Sequence, residues 1–161
     1  MHAEARLAVE RIGGAYGLLH RKDISVINIG GPESLTRNLF ATRHWTTVNL
    51  DTWAPDRFYD VALCVGVLEH TPSWRTCLAA AAEALKPGGS LIVVCASDRH
   101  PPHSVNGTTR IPAGEHYSNI QPMELVAALA DIFPGAYGVD YAFPPGDVYA
   151  WAQRPTASVT I

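Results

Sequence analysis

The sequence has few cysteines, and none are spaced to form a metal knuckle. The three that it contains, Cys64, Cys77 and Cys95, are odd in number, lie in apolar segments and form no CxxC motif. This pattern argues against a disulfide framework and against a structural zinc site. We therefore expect a reducing compartment and predict a cytoplasmic location.

Long basic runs and long apolar runs are also missing. The 161 residues carry a formal net charge of -3 with no block of Lys or Arg, so there is no clear nucleic-acid signal. No run of ~18 apolar residues occurs, and the acidic N-terminal segment is unlike a signal peptide, so no membrane partner is expected. With 47% hydrophobic residues, this length predicts a single domain over 1–161.

The apolar pattern alternates along the chain between strand-like runs and helix-like periods, which predicts an α/β sheet. The predicted helices are 3–19, 34–41, 73–85 and 121–133, and the predicted strands are 24–29, 46–50, 59–68, 90–97, 135–143 and 148–154. The stretch 98–119, rich in Pro, Gly and His, is predicted to be a long functional loop. The last two strands are predicted to form a hairpin around a tight Pro-Pro-Gly-Asp turn.

The block YDVALCVGVLEHTPSWRTCLAAAAEALKPGGSLIVV resembles the central part of class I S-adenosylmethionine-dependent methyltransferases. Its most specific features are the step Leu68-Glu69-His70 and the later Lys-Pro-Gly-Gly. The resemblance implies a doubly wound, Rossmann-like sheet with strand order 2-1-4-5-7-6 and an antiparallel last strand. It also implies S-adenosylmethionine as the cofactor.

One element of that family fold is predicted to be missing. Only the seven residues Thr52 to Phe58 separate the second predicted strand from the strand that begins at Tyr59. A helix and a further strand together need roughly 16 residues, so the third strand has no room. One sheet edge and part of one face would then be uncovered, which predicts a homo-oligomer or an assembly with a protein partner.

The glycine loop NIGGPES departs from the family pattern of an acid followed by alternate glycines. Asn28 stands at the acid position and Gly30 at the first glycine, but Pro32 and Ser34 replace the other two. Pro32 removes a backbone donor, so one interpretation is an ordinary turn in which Ser34 caps the next helix. The other is a cofactor cradle, in which Gly30 and Gly31 let the backbone approach the ligand.

An acid downstream favours the cradle. Asp51 lies 51 - 30 = 21 positions after Gly30, at the end of the second predicted strand, where a carboxylate can accept hydrogen bonds from ribose hydroxyls. An exposed acid after a strand is also common. The residues predicted to bind the cofactor are Asn28, Gly30, Gly31, Asp51, Val65 and Glu69.

The end of the central strand is the second candidate position. Glu69 and His70 follow that strand, and ligands of open α/β sheets bind beyond the carboxyl ends of strands. Alternatively, Glu69 and Thr71 begin the next helix and satisfy its free N–H groups. Lys86 and the two glycines after it are interpreted as structural, ending a helix and turning into the next strand.

His70 is the predicted catalytic base, and the resemblance places an acceptor pocket under the long loop, with His116 and Tyr117 as substrate-binding residues. The alternative is a metal site in this loop, with His100, His103 and His116 as ligands, together with Cys95. Two prolines between the histidines and the lack of a matching carboxylate set disfavour it. No metal is therefore predicted.

The predicted function is methyl transfer from S-adenosylmethionine to a small acceptor. The Asp/Asn-Pro-Pro-aromatic motif of amino-group methylation on nucleic acids and the Pro-Cys nucleophile of cytosine methylation are both missing. The alternative is a catalytically inert, methyltransferase-like module that assembles through its uncovered sheet face. A nicotinamide-dependent oxidoreductase is disfavoured by the missing glycines and the closing hairpin.

Overall fold

The computed structural model of the protein describes residues 2–50 and 52–156, which form four α-helices and six β-strands. The helices are α1 His2–Ala15, α2 Glu33–Thr36, α3 Trp74–Glu83 and α4 Pro122–Ile132. The strands are β1 Ser25–Ile29, β2 His44–Val48, β3 Tyr59–Val65, β4 Leu85–Ala96, β5 Tyr137–Ala142 and β6 Asp147–Gln153. In these two ranges, no helix is long and apolar enough to cross a bilayer.

The six strands form one sheet in the order β2-β1-β3-β4-β6-β5. The first four are parallel, and β6 runs antiparallel to both β4 and β5. With the third strand of the family missing, β3 to β6 take family positions four to seven. The predicted order 2-1-4-5-7-6, with an antiparallel last strand, is therefore confirmed.

The central strands are apolar along nearly their whole length because helices cover both faces of the sheet. Helices α3 and α4 pack on one face, where Ile27, Cys64 and Val93 belong to the larger core cluster. Helix α1 packs on the other face, against Val26 and Leu63. This layering aligns the carboxyl ends of β1, β2, β3 and β4 along one edge of the molecule.

The segment between Thr52 and Phe58 contains neither helix nor strand, and β2 forms the edge of the sheet. The prediction of an open sheet edge is confirmed. Trp53 packs against the larger core cluster and covers part of one face, whereas Phe58 is 63% exposed. Assembly through this edge stays a prediction.

Three local predictions need correction. Helix α3 ends at Glu83 and β4 begins at Leu85, so Lys86 belongs to a strand and does not end a helix. The N-cap of α2 is Pro32, and Ser34 therefore lies inside the helix. Helix α3 begins only at Trp74, because Leu68–His70 is a separate 3₁₀ turn, so neither Glu69 nor Thr71 begins it.

Asp60 joins the amino ends of three neighbouring strands. Its Oδ2 atom accepts hydrogen bonds from the backbone N–H of Ser25 at 2.8 Å and from its hydroxyl at 2.9 Å, and Lys86 Nζ lies 2.7 Å away. Burial pushes the pKa of Asp60 upward, but the bonds from Lys86 and Ser25 outweigh it and hold the pKa below its ordinary value. The charged carboxylate is thus the stabilising form.

We expect Asp60→Asn to lower the free energy of unfolding at pH 7 by about 1–2 kcal/mol, since a charge-assisted hydrogen bond is lost at a partly exposed site. Because the folded pKa is lowered, this contribution is present above pH ~4 and is lost as the pH falls through the folded pKa. Urea unfolding at several pH values measures it. The exposed Asp131→Asn in α4 is the control, and a deficit that stays constant down to pH 3 would contradict the assignment.

Candidate functional site

A cavity of about 470 Å³ opens at the carboxyl ends of the parallel strands. Its walls come from the ends of β1, β2 and β3 and from the long loop. The lining residues are Gly30, Pro32, Thr47, Val48, Asn49, Leu50, Gly66, Val67, His70 and Val105. This is the position at which open α/β sheets bind ligands, and the volume suits a ligand of nucleoside size.

Gly30 forms the sharp turn at the floor of this cavity. Its φ is +70°, a left-handed conformation that glycine adopts without strain. A Cβ here would lie 3.1 Å from Val67 Cγ1 and 3.3 Å from Leu50 Cβ. A side chain would therefore both strain the turn and crowd the cavity floor.

Asn28, Gly31 and Val65 lie behind the cavity and do not line it. The buried Asn28 amide donates a hydrogen bond of 2.7 Å from Nδ2 to the Gly31 carbonyl. A Cβ on Gly31 would lie 2.7 Å from the Val65 carbonyl oxygen. These three residues hold the shape of the turn, and their assignment to the cofactor stays a prediction.

The carboxyl end of β2 supplies a second wall through Asn49 and Leu50. Asp51, the predicted ribose ligand, lies outside the described residues. The two residues that precede it in the sequence line the cavity. The role of Asp51 remains a prediction.

His70 closes the 3₁₀ turn after β3 and lines the cavity. Its side chain is only 7% exposed. Burial lowers the pKa of His70, and the neighbouring His103 acts in the same direction. The neutral imidazole therefore predominates at neutral pH, as a proton acceptor requires.

Glu69 turns away from the cavity into the interior. Its Oε1 accepts a hydrogen bond of 3.1 Å from the backbone N–H of Ala96, and its carbonyl accepts one of 2.8 Å from Ser118. Burial raises the pKa of Glu69 to about 7. The side chain therefore ties the end of β3 to the end of β4, and the backbone carbonyl ties it to the long loop. The predicted cofactor role of Glu69 stays a prediction.

Histidines of the long loop pack beside Glu69. His103 Nε2 lies 4.0 Å from Glu69 Oε1, and the His103 ring contacts that of His70 with a centroid separation of 5.1 Å. His100 Nε2 lies 3.4 Å from Oδ1 of the buried Asp147, and burial raises the pKa of Asp147 to about 6. Local sequence patterns did not predict this grouping, because the loop reaches back across the sheet.

The two predicted acceptor residues are placed differently. The ring of Tyr117 packs against those of His70 and His103, with centroids 5.5 and 4.9 Å apart, so it adjoins the base candidate. His116 is partly exposed and belongs to none of these ring contacts. Neither residue lines the cavity, and both assignments stay predictions.

The cavity residues that were not predicted are mostly apolar. They are Pro32, Thr47, Val48, Asn49, Leu50, Gly66, Val67 and Val105. Gly66, with φ of +66°, carries the one recognisable signal, since a glycine that ends a buried strand often marks a turn at a ligand site.

Comparison with known protein families identifies the family of this chain. A family profile described as a methyltransferase domain matches residues 6–132. The protein belongs to this methyltransferase domain family, which confirms the resemblance found in the sequence. S-adenosylmethionine is the cofactor that this membership implies. A search of curated proteins gives no match.

Solved methyltransferase structures share the fold at low sequence identity. The DhpI complex with SAH aligns with a TM-score of 0.64 and 20% identity, over 98% of this chain and 86% of that chain. A second structure is Burkholderia thailandensis 1,6-didemethyltoxoflavin-N1-methyltransferase with bound 1,6-didemethyltoxoflavin and S-adenosylhomocysteine. It aligns with a TM-score of 0.64 and 16% identity, over 96% of this chain and 79% of that chain. An O-methyltransferase family protein from the same organism aligns with a TM-score of 0.60 and 14% identity, over 95% of this chain but only 59% of that chain.

The turn at Gly31 generates a stability prediction. We expect Gly31→Ala to lower the free energy of unfolding by about 1–3 kcal/mol, because the new Cβ would collide with the Val65 backbone. Gly14→Ala is the matched control: its Cβ meets only Leu19 Cδ1, at 3.9 Å, and alanine favours helix α1. Urea unfolding compares the two variants, and equal effects would show that the close approach at Gly31 is unimportant.

Proposed function

We propose that the protein transfers a methyl group from S-adenosylmethionine to a small-molecule acceptor. The observation that carries this proposal is the 470 Å³ cavity, in which the glycine turn and His70 line the same space. The neighbour with bound 1,6-didemethyltoxoflavin, a small molecule, supports an acceptor of this kind.

The residues at the cavity fit an adenosine-containing ligand. Gly30 keeps the cavity floor clear where a Cβ would fill it, and Asn49 and Leu50 line the wall beside position 51. Gly30, Asp51 and the backbone near Gly66 would hold the cofactor, with Asn28 and Gly31 supporting the turn. When bound there, S-adenosylmethionine supplies a methyl group that its sulfonium makes reactive.

His70 would then accept the proton that an acceptor hydroxyl or amine loses as it is methylated. Its imidazole is buried, predominantly neutral and located at the cavity wall. Positioning of the acceptor and proton removal are the two contributions that remain for the protein. Tyr117 packs against His70 and would keep that ring in place. The long loop would cover the acceptor side.

A second candidate function is a binding module without catalysis, which Pro32 favours. This residue lines the cavity and has no backbone N–H to offer a ligand, so the loop provides fewer donors than a glycine-rich one. Weak or absent cofactor binding is what this alternative requires.

Calorimetric titration with S-adenosylmethionine and S-adenosylhomocysteine tests the proposal. We expect the wild type to bind both, and Asp51→Ala to bind about 10- to 150-fold more weakly, because a charge-assisted hydrogen bond to the ribose is lost. Asp131→Ala, at an exposed position in α4, is the control and should bind like the wild type.

Each outcome of this titration has a consequence. If the wild type shows no heat of binding at millimolar ligand, the enzyme proposal is overturned and the binding module remains as the candidate function. Binding of equal strength by wild type and Asp51→Ala would instead remove Asp51 from the site while leaving the cavity in use.

We also propose that the open edge of β2 supports self-association. The strand has a neighbour on one side within the described residues, and the nearby Phe58 is 63% exposed. We expect light scattering to give a mass above 17.4 kDa at micromolar concentration and Phe58→Ser to shift it toward that value. A monomeric wild type would overturn this proposal.

A further inference from the structure

Three side chains, two from the turn after β3 and one from the long loop, place possible metal-ligand atoms close to one another. One ligand atom from each of Glu69, His70 and His103 lies within 4.8 Å of the other two. Within residues 2–50 and 52–156, Glu69 Oε2, His70 Nδ1 and His103 Nε2 are buried and have no hydrogen-bond partner. Burying three such atoms together is costly unless something binds them.

The second nitrogen of His103 shows which atom is free to bind. His103 Nδ1 lies 3.2 Å from the Pro101 carbonyl oxygen, which can only accept, so Nδ1 carries the hydrogen. Nε2 is then left with a lone pair that points toward Glu69. A histidine held through one nitrogen by a backbone carbonyl, with the other nitrogen free, is the usual arrangement of a metal ligand.

Glu69 is positioned in a comparable way. The backbone N–H of Ala96 holds Oε1 at 3.1 Å, which fixes the carboxylate, and Oε2 is buried without a hydrogen-bond partner among the described residues. Glu69 itself is fully buried. One carboxylate oxygen and two imidazole nitrogens, from the end of β3 and from the long loop, thus lie within 4.8 Å of one another.

We propose that Glu69, His70 and His103 bind a divalent first-row transition-metal ion, with Zn²⁺ as the representative. Two imidazoles and one carboxylate are a ligand set of zinc sites that keep a fourth position open, whereas Mg²⁺ and Ca²⁺ prefer oxygen ligands. Bonds of about 2.1 Å place the ligand atoms of a tetrahedral ion about 3.4 Å apart. The present separations therefore need only small side-chain rotations to close around an ion.

Ring packing alone does not account for the cluster. The His70 and His103 rings meet edge to face, and His100 packs against His103 at a centroid distance of 4.9 Å. Such contacts stabilise the rings, but they do not satisfy the three unpartnered atoms. Binding of an ion would satisfy all three at once.

The ion would adjoin the 470 Å³ cavity, because His70 belongs to both. Its open position would then bind an acceptor through oxygen and lower the pKa of an acceptor hydroxyl. His70 Nδ1 would serve as a ligand in that state, so the proton of the acceptor hydroxyl would pass to solvent rather than to His70. This consequence rests on the proposed function, whereas metal binding itself does not.

The test is calorimetric titration of EDTA-treated, dialysed protein with Zn²⁺ alone. We expect one equivalent to bind, His103→Gln to weaken binding by at least about 100-fold, and Mg²⁺ to give no binding. Co²⁺ in place of Zn²⁺ should give the visible absorption of a tetrahedral site in the wild type but not in His103→Gln. His44→Gln, at an exposed position at the start of β2, is the matched control and should bind like the wild type.

Circular dichroism establishes whether His103→Gln is folded, and His70→Gln, with the same expected loss, replaces it if it is not. A wild type that binds no Zn²⁺ at tens of micromolar overturns the proposal outright. So does a wild type that binds no better than His103→Gln, or a loss of binding in His44→Gln. Titration of the same metal-free protein with S-adenosylhomocysteine reports separately on the proposed function, so either result can fail without the other.

Discussion

The parallel pairing of β3 with β4 is the constraint on which the site depends. These two strands are buried on both faces, and they pair in register from Val61 with Ser90 to Val65 with Val94. Parallel strands end at the same edge of a sheet, so this register brings the turn after β3 beside the start of the long loop. Glu69 fixes that relation by accepting a hydrogen bond from Ala96 at the end of β4.

The same constraint explains why polar groups accumulate in the interior. A loop that leaves β4 and must return to α4 passes over the turn after β3, and its hydrogen bonds anchor it there. Ser118 donates its N–H to the Glu69 carbonyl, and Ile120 donates its N–H to the Ala96 carbonyl. These bonds hold the end of the loop against the ends of β3 and β4, and His103 Nε2 lies 4.0 Å from Glu69 Oε1. Protein interiors rarely leave charged or polar atoms unpaired, so a cluster with several such atoms is better explained by function than by stability.

Most of the fold could be predicted from the sequence, because strand burial, helix periodicity and family resemblance all act locally or along the whole chain. The strand order, the missing third strand and the long loop followed from them. The start of β4 before Lys86 could not be predicted in this way, because the Lys86 side chain is held by Asp60 from a neighbouring strand. Such pairing across the sheet leaves no signature in the local pattern.

The candidate site was less predictable for a related reason. Residues named from the glycine loop divide into Gly30, which lines the cavity, and Asn28 and Gly31, which support the turn from behind. Spacing along the chain cannot separate these two roles. The grouping of Glu69 with His103 was also hidden, because it joins two segments that are distant in sequence.

The unusual glycine loop is consistent with both a turn and a cradle once its backbone is considered. The position that needs a left-handed conformation, with φ of +70°, has kept its glycine at Gly30. Pro32 has φ of -64° at the N-cap of α2, a value that proline adopts readily, and Ser34 lies within that helix. The two replacements therefore fall where the chain has ordinary geometry. What the loop loses at Pro32 is one hydrogen-bond donor rather than its shape, and any ligand in the cavity must depend more on the ends of β2 and β3.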